Sequence, residues 1–210
     1  MNNEKYRKLT SWLIAAWFVF ALSASALHLF QTSPDAPPLP TGLAVLTPIL
    51  IFVAWFRISQ GFRTFVLSLD AHLLTMVQSW RIAGFVFLVL YTFRILPGAF
   101  ALPAGWGDIF IGATAPIVAL KLASRSHRTA FIGWQMLGML DLLIAVSAGT
   151  TARLLGTEIT TAPMTVLPLS LIPTFAVPLF FILHIICIAQ ARLWEPVSAH
   201  RGEPLPSSAA

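Results

Sequence analysis

Residues 94–108, RILPGAFALPAGWGD, lie between two strongly apolar segments, and the reading of this stretch decides the fold. Pro97, Gly98, Pro103, Gly105 and Gly107 interrupt helical order and serve as hinge positions, so the stretch reads as a connection flanked by Arg94 and Asp108. The segments on either side, 82–96 and 106–123, then form two helices joined at one bilayer face, each near the ~17–25 residues that cross the hydrocarbon core.

Hydrophobic residues make up 57% of the 210 positions and charged residues 10%, against about 25% charged in an ordinary soluble domain. So few charges cannot cover a water-facing surface. The expectation is an all-α polytopic membrane bundle of about six transmembrane helices, at 10–30, 41–57, 82–96, 106–123, 129–149 and 169–190, forming one domain over 10–194. Residues 1–9 read as a cytoplasmic basic tail, and 195–210 as a disordered one without apolar period. Residues 23–26, SASA, also resemble a signal-peptide cleavage site, which would leave the downstream topology unchanged.

Phe62, Val66, Leu69, Leu73, Met76 and Trp80 repeat at helical spacing, which predicts an amphipathic helix over 62–80 lying along the inner interface. The alternative is one helix from near Asp70 to Leu96, about 40 Å long, carrying Gln78 and Arg81 into the inner leaflet. Trp80, as an interface anchor, favours the first reading.

The net charge of +5 is not gathered on a basic stripe with interleaved aromatics, so nucleic acid is not an expected partner. With both termini cytoplasmic, Lys5, Arg7, Lys8, Arg57, Arg63, Arg81, Lys121, Arg125, Arg128, Arg192 and Arg201 fall inside, and only Arg94 and Arg153 outside. This bias orients the chain by the positive-inside rule. The single cysteine, Cys187, makes no internal disulfide, and no Cys/His spacing marks a metal site. There is no phosphate-binding loop, zinc-protease helix, nucleophile elbow or dinucleotide fingerprint.

An ionisable side chain within a span needs a partner or water. Counted from the inner ends at 1.5 Å per residue, Arg94 lies about 20 Å deep, Asp108 about 22 Å and Asp141 about 18 Å, so the three can share one layer of the outer half. Asp108, Gly112, Ala115 and Ala119 occupy one face of the fourth span, and Gly138, Asp141, Ala145 and Ala148 one face of the fifth. Small residues let such antiparallel neighbours approach, or mediate contact with a second copy. Arg94, Asp108 and Asp141 are therefore the candidate polar site, with Gln78, Arg81, His184 and His28 as secondary candidates. The group is read either as a structural ion pair or as a protonatable acidic pair in a polar cavity.

Gly105-Trp106-Gly107-Asp108 is similar to the GxGD motif of intramembrane aspartyl proteases, which implies Asp141 as second aspartate. The order of the two aspartates is reversed here and a YD-type partner is missing. A b-type haem needs two facing histidines at one depth. His28 and His184 differ in depth by roughly 15 Å, which leaves His72 with His184 as the haem alternative to no cofactor.

The block QSWRIAGFVFLVLYTFRILPGAFALPAGWGDIFIGATAP, then Asp141 and PLSLIPTFAVPLFFILH, resembles an uncharacterised family of small bacterial multi-pass membrane proteins over most of 70–190. That resemblance implies a bacterial cytoplasmic membrane and no substrate. The functional expectation is a permease-like protein moving a proton or small solute, against a non-catalytic membrane subunit or an aspartyl hydrolase.

Overall fold

The computed structural model of the chain describes residues 3–32, 37–155 and 158–194, and every regular element among them is helical. The expected disordered tail, 195–210, lies outside the described residues. Helix α1 spans Asn3–Ala26, so most of the basic tail is its first turns, and α2 spans Leu39–Ile58. Ser59 ends α2 and caps α3, Gln60–Leu67, its hydroxyl accepting the Phe62 N–H at 3.3 Å. Asp70 then caps α4, Ala71–Val77, its carboxylate accepting the His72 N–H at 2.8 Å.

These two caps correct the expected interfacial helix over 62–80. Its first half is α3, and its second half belongs to a rod of α4, a 3₁₀ segment Gln78–Gly84 and α5, Phe85–Thr92. The rod Ala71–Thr92 is 22 residues long and apolar enough to cross a membrane. Trp80 stands in its middle, 75% exposed, and anchors neither end.

The opening connection is shorter than its prolines and glycines suggested. Helix α5 ends where Arg94 takes a left-handed φ of 56°, its N–H donating to the Tyr91 carbonyl at 2.9 Å. Pro97 then stands as N-cap of α6, Gly98–Lys121, which begins well before residue 106. Proline at a helix start sacrifices no bond that the first turn would make, so this stretch continues as helix. Helix α7 is Arg128–Leu154, and α8, Val177–Arg192, follows a π-helical turn at Ile172–Ala176 that holds Pro173.

Among the described residues, six helices or rods are long and apolar enough to cross a membrane. Their packing inverts that of a soluble protein. Trp12, Trp106 and Leu120 are 75%, 62% and 75% exposed, whereas Arg81, Gln78, Gln135 and His184 are 2% exposed or less. At one end Tyr6, Phe52, Phe62, Phe65 and Val66 form an aromatic cluster, with Trp55 stacked on Phe62 at 3.7 Å. At the other, Phe87, Leu96, Phe100, Ala101, Ala104 and Met164 pack together. Lys5, Arg7, Lys8, Arg57, Arg63, Lys121, Arg125, Arg128 and Arg192 lie toward the first end, where Arg128 donates to the Arg192 carbonyl at 3.3 Å. Arg81 is not among them.

Candidate functional site: a buried arginine bridge

The rod's 3₁₀ segment gives the site its arginine. Three residues per turn stack positions i and i+3 on one face, and Gln78, Arg81 and Gly84 are the buried residues of that segment. Arg81 sits halfway along Ala71–Thr92, and Asp141 stands thirteen residues from either end of Arg128–Leu154. Asp108 and His184 are also central in their helices. The polar cluster therefore occupies the middle of the bundle.

Arg81 holds the two aspartates together. Its Nε donates to Asp108 Oδ1 at 2.7 Å and its Nη2 to Asp141 Oδ2, with 1% of the arginine side chain and 16% and 13% of the carboxylate side chains exposed. Nη1 donates to the Gly138 carbonyl at 3.1 Å and to His184 Nε2 at 3.3 Å. A guanidinium has only donors, so His184 Nε2 must accept and the ring proton belongs on Nδ1. Nδ1 then donates to Gln135 Oε1 at 2.5 Å, Gln135 Nε2 to Thr75 Oγ1 at 3.1 Å, and the Thr75 hydroxyl faces Cys187 Sγ at 3.8 Å. This directed chain runs from the middle of the bundle toward its basic end.

Glycines make the close approach possible. A β-carbon on Gly107 would collide with the Asp141 carboxylate, and one on Gly138 would stand 2.5 Å from His184 Nε2. One on Gly84 would come within 2.8 Å of Asp108 Oδ2. Helices α6 and α7 meet as expected where Asp141 lies on Gly107 and Ala115 packs with Phe131 and Trp134, but two glycines of the small-residue faces serve other neighbours. Gly112 of α6 lies against the backbone of Arg81 and Ile82, and Gly138 of α7 lies under the α8 histidine.

From the opposite end a cavity of about 100 Å³ reaches down to Asp108. Thr41, Thr150, Thr161, Thr165 and Arg153 supply its polar wall; Val45, Phe87, Phe100, Leu142, Met164 and Val177 are among its apolar residues. Arg153 is 5% exposed, and its Nη2 donates to the Thr32 carbonyl at 2.9 Å and hydroxyl at 2.7 Å. The Thr41 hydroxyl is buried in this wall without a hydrogen-bond partner among the described residues.

The structure thus brings together Asp108 and Asp141 from the primary candidates and Arg81 and His184 from the secondary ones. Arg94 is replaced as counter-ion by Arg81: the left-handed turn that ends α5 leaves the Arg94 side chain exposed. Gln78 is adjacent on the same 3₁₀ face but donates to the Phe180 carbonyl at 3.2 Å. His28 lies in the turn after α1 at a φ of 59°, exposed and hydrogen-bonded to Gln31 at 3.0 Å. Of the hinge residues, Pro97 caps α6 and Gly98, Pro103, Gly105 and Gly107 are helical; Gly105 packs on Leu88 and Gly107 on Asp141. Thr75 and Gln135 carry no functional signal in the sequence beyond the three-residue spacing of Gln135, Gly138 and Asp141.

The haem alternative finds no support in this geometry. Both ring nitrogens of His184 are engaged within the protein, and the exposed His72 pairs with Asp70 at 3.1 Å. In the GxGD reading the two carboxylates would share a water, whereas here both grip the Arg81 guanidinium.

Fold and site together define, among the described residues, an all-helical bundle of six long apolar helices around a buried Arg/Asp/Asp/His cluster. The chain belongs to the family described as Domain of unknown function (DUF8737), which matches residues 38–192 and so includes the whole cluster. No curated protein and no solved structure matches it.

Proposed function

We propose that the protein spans a bacterial cytoplasmic membrane with its basic end inside, and works as a small permease that takes up a proton or small solute at Asp108 and Asp141. The apolar exterior and the gathering of basic residues at one end support the setting. One observation carries the activity: Asp108 belongs both to the Arg81 bridge and to the wall of the cavity from the far end. One guanidinium against two ionised carboxylates leaves one negative charge at mid-depth, and a proton or monovalent cation brings it to neutrality.

In this reading the cavity gives access from outside, and the His184–Gln135–Thr75 chain continues inward. Transport needs the bridge to rearrange, since Arg81 fills the space between the two halves. The test is proton flux into proteoliposomes carrying a pH-sensitive dye inside, under an imposed gradient. The intact protein passes protons above empty vesicles; Asp108→Asn and Asp141→Asn inserts fold but lose the flux. If correctly inserted wild-type protein passes no protons and no solute, the cluster is a structural clamp and the protein a non-catalytic membrane subunit.

A further inference from the structure

The cavity's wall names a chemical class of solute. Among the described residues, Asp108 is its sole acidic residue and Arg153 its sole basic one. Asp108 stands at the floor beside Asp141 and Arg81, where the three charges sum to minus one when both carboxylates are ionised. Arg153 is twelve residues beyond Asp141 along α7, about 18 Å in axial rise, where it is tied to Thr32. A cation at the floor therefore meets the cluster's net charge of minus one, Arg81 included, while the Arg153 charge stands several times farther away than Asp108 and repels it more weakly.

Beside its threonines the wall carries an aromatic and aliphatic part. Phe87 and Phe100 stand edge to face at 5.3 Å, with Met164 in the same cluster. Aromatic faces attract an organic cation, and an aliphatic wall accommodates its body. A hard metal cation would want six or more oxygen ligands, and the floor offers one carboxylate.

We propose that this cavity binds a small organic monocation, an ammonium with a compact apolar body, charge toward Asp108 and body against Phe87, Phe100 and Leu142. The proposal rests on the permease reading and names the solute for the same site. Ammonium and proton compete there, one for one, so binding weakens as pH falls.

Titration calorimetry on the full chain in detergent, with tetramethylammonium as probe and butanol and butyrate as controls, tests it. Saturable binding of tetramethylammonium alone is expected, weakened at least tenfold in Asp108→Asn and about fivefold in Phe100→Leu, the second substitution leaving the arginine bridge untouched. No saturable binding, equal binding of butanol or butyrate, or unchanged affinity in Phe100→Leu would overturn it. Proton flux without tetramethylammonium binding removes this inference and leaves the permease reading standing; binding without flux of proton or solute does the reverse.

Discussion

Arg81→Leu should be the most damaging single substitution in the chain. The guanidinium satisfies Asp108, Asp141, the Gly138 carbonyl and His184 at once, and only 1% of its side chain is exposed. Removing one partner of a buried ion pair costs about 3–5 kcal/mol, because the remaining charge keeps its desolvation penalty without its attraction. Here two carboxylates are stranded, so the loss belongs at the upper end of that range, a large part of a total stability of about 5–15 kcal/mol. Adding Asp141→Asn to Arg81→Leu removes one stranded charge and should restore about 1–3 kcal/mol, making the pair of substitutions strongly non-additive. Unfolding in detergent, followed by circular dichroism for the wild type, both single variants and the double variant, gives the cycle directly. A loss below about 0.5 kcal/mol for Arg81→Leu, the size of an ordinary surface change, or strict additivity, would refute the bridge.

Gly138→Ala places a methyl against the His184 ring and should cost about 1–3 kcal/mol as an overpacked core, measured by the same unfolding assay; a neutral result would mean the ring has room to move. Arg94→Gln should be neutral within about 0.5 kcal/mol and leave proton flux intact, since the side chain is exposed at a helix end; lost flux would return Arg94 to the site. The His72 N–H holds the exposed Asp70 carboxyl below its ordinary value, so the cap's stabilisation is full above the unfolded pKa of about 3.9 and fades as pH falls through the lower folded value. Asp70→Asn keeps the cap and should flatten that acid limb, while Asp70→Ala should cost about 1 kcal/mol at pH 7; an unchanged pH profile in Asp70→Asn would count against the assignment.

The apolar segments could be read from composition because a membrane span needs length and hydropathy, both local properties. Starts of helices were harder, since they depend on single caps. Asp70 places the third rod's start at Ala71, and that shift carries Arg81 from near the end of an apolar segment to the middle of the rod. A count of basic residues treats every arginine near a span's end as topological and so does not separate Arg81 from the inner charges; the alternative helix from near Asp70, which carries Gln78 and Arg81 inward, is the reading closer to the rod Ala71–Thr92. The three-residue spacing of Thr75, Gln78, Arg81 and Gly84 was a legible sign of a 3₁₀ face, but only packing shows that the segment takes that form. Asp108 and Asp141 were legible because a carboxylate inside an apolar run demands a partner. Gln135 was not, because an uncharged amide makes a weaker demand, and its neighbours come from two other elements.

The central claim is that a polar site at mid-depth is reached from the end opposite the basic one. Replacing the single cysteine, Cys187, by alanine gives a clean background for Leu142→Cys and Val146→Cys on the cavity wall and Leu140→Cys on the exposed face of α7. Labelling of oriented membranes with a charged, membrane-impermeant thiol reagent should modify positions 142 and 146 from the outer side only and spare position 140 in lipid. Inert cysteines at 142 and 146, or labelling from the basic side, would contradict the account.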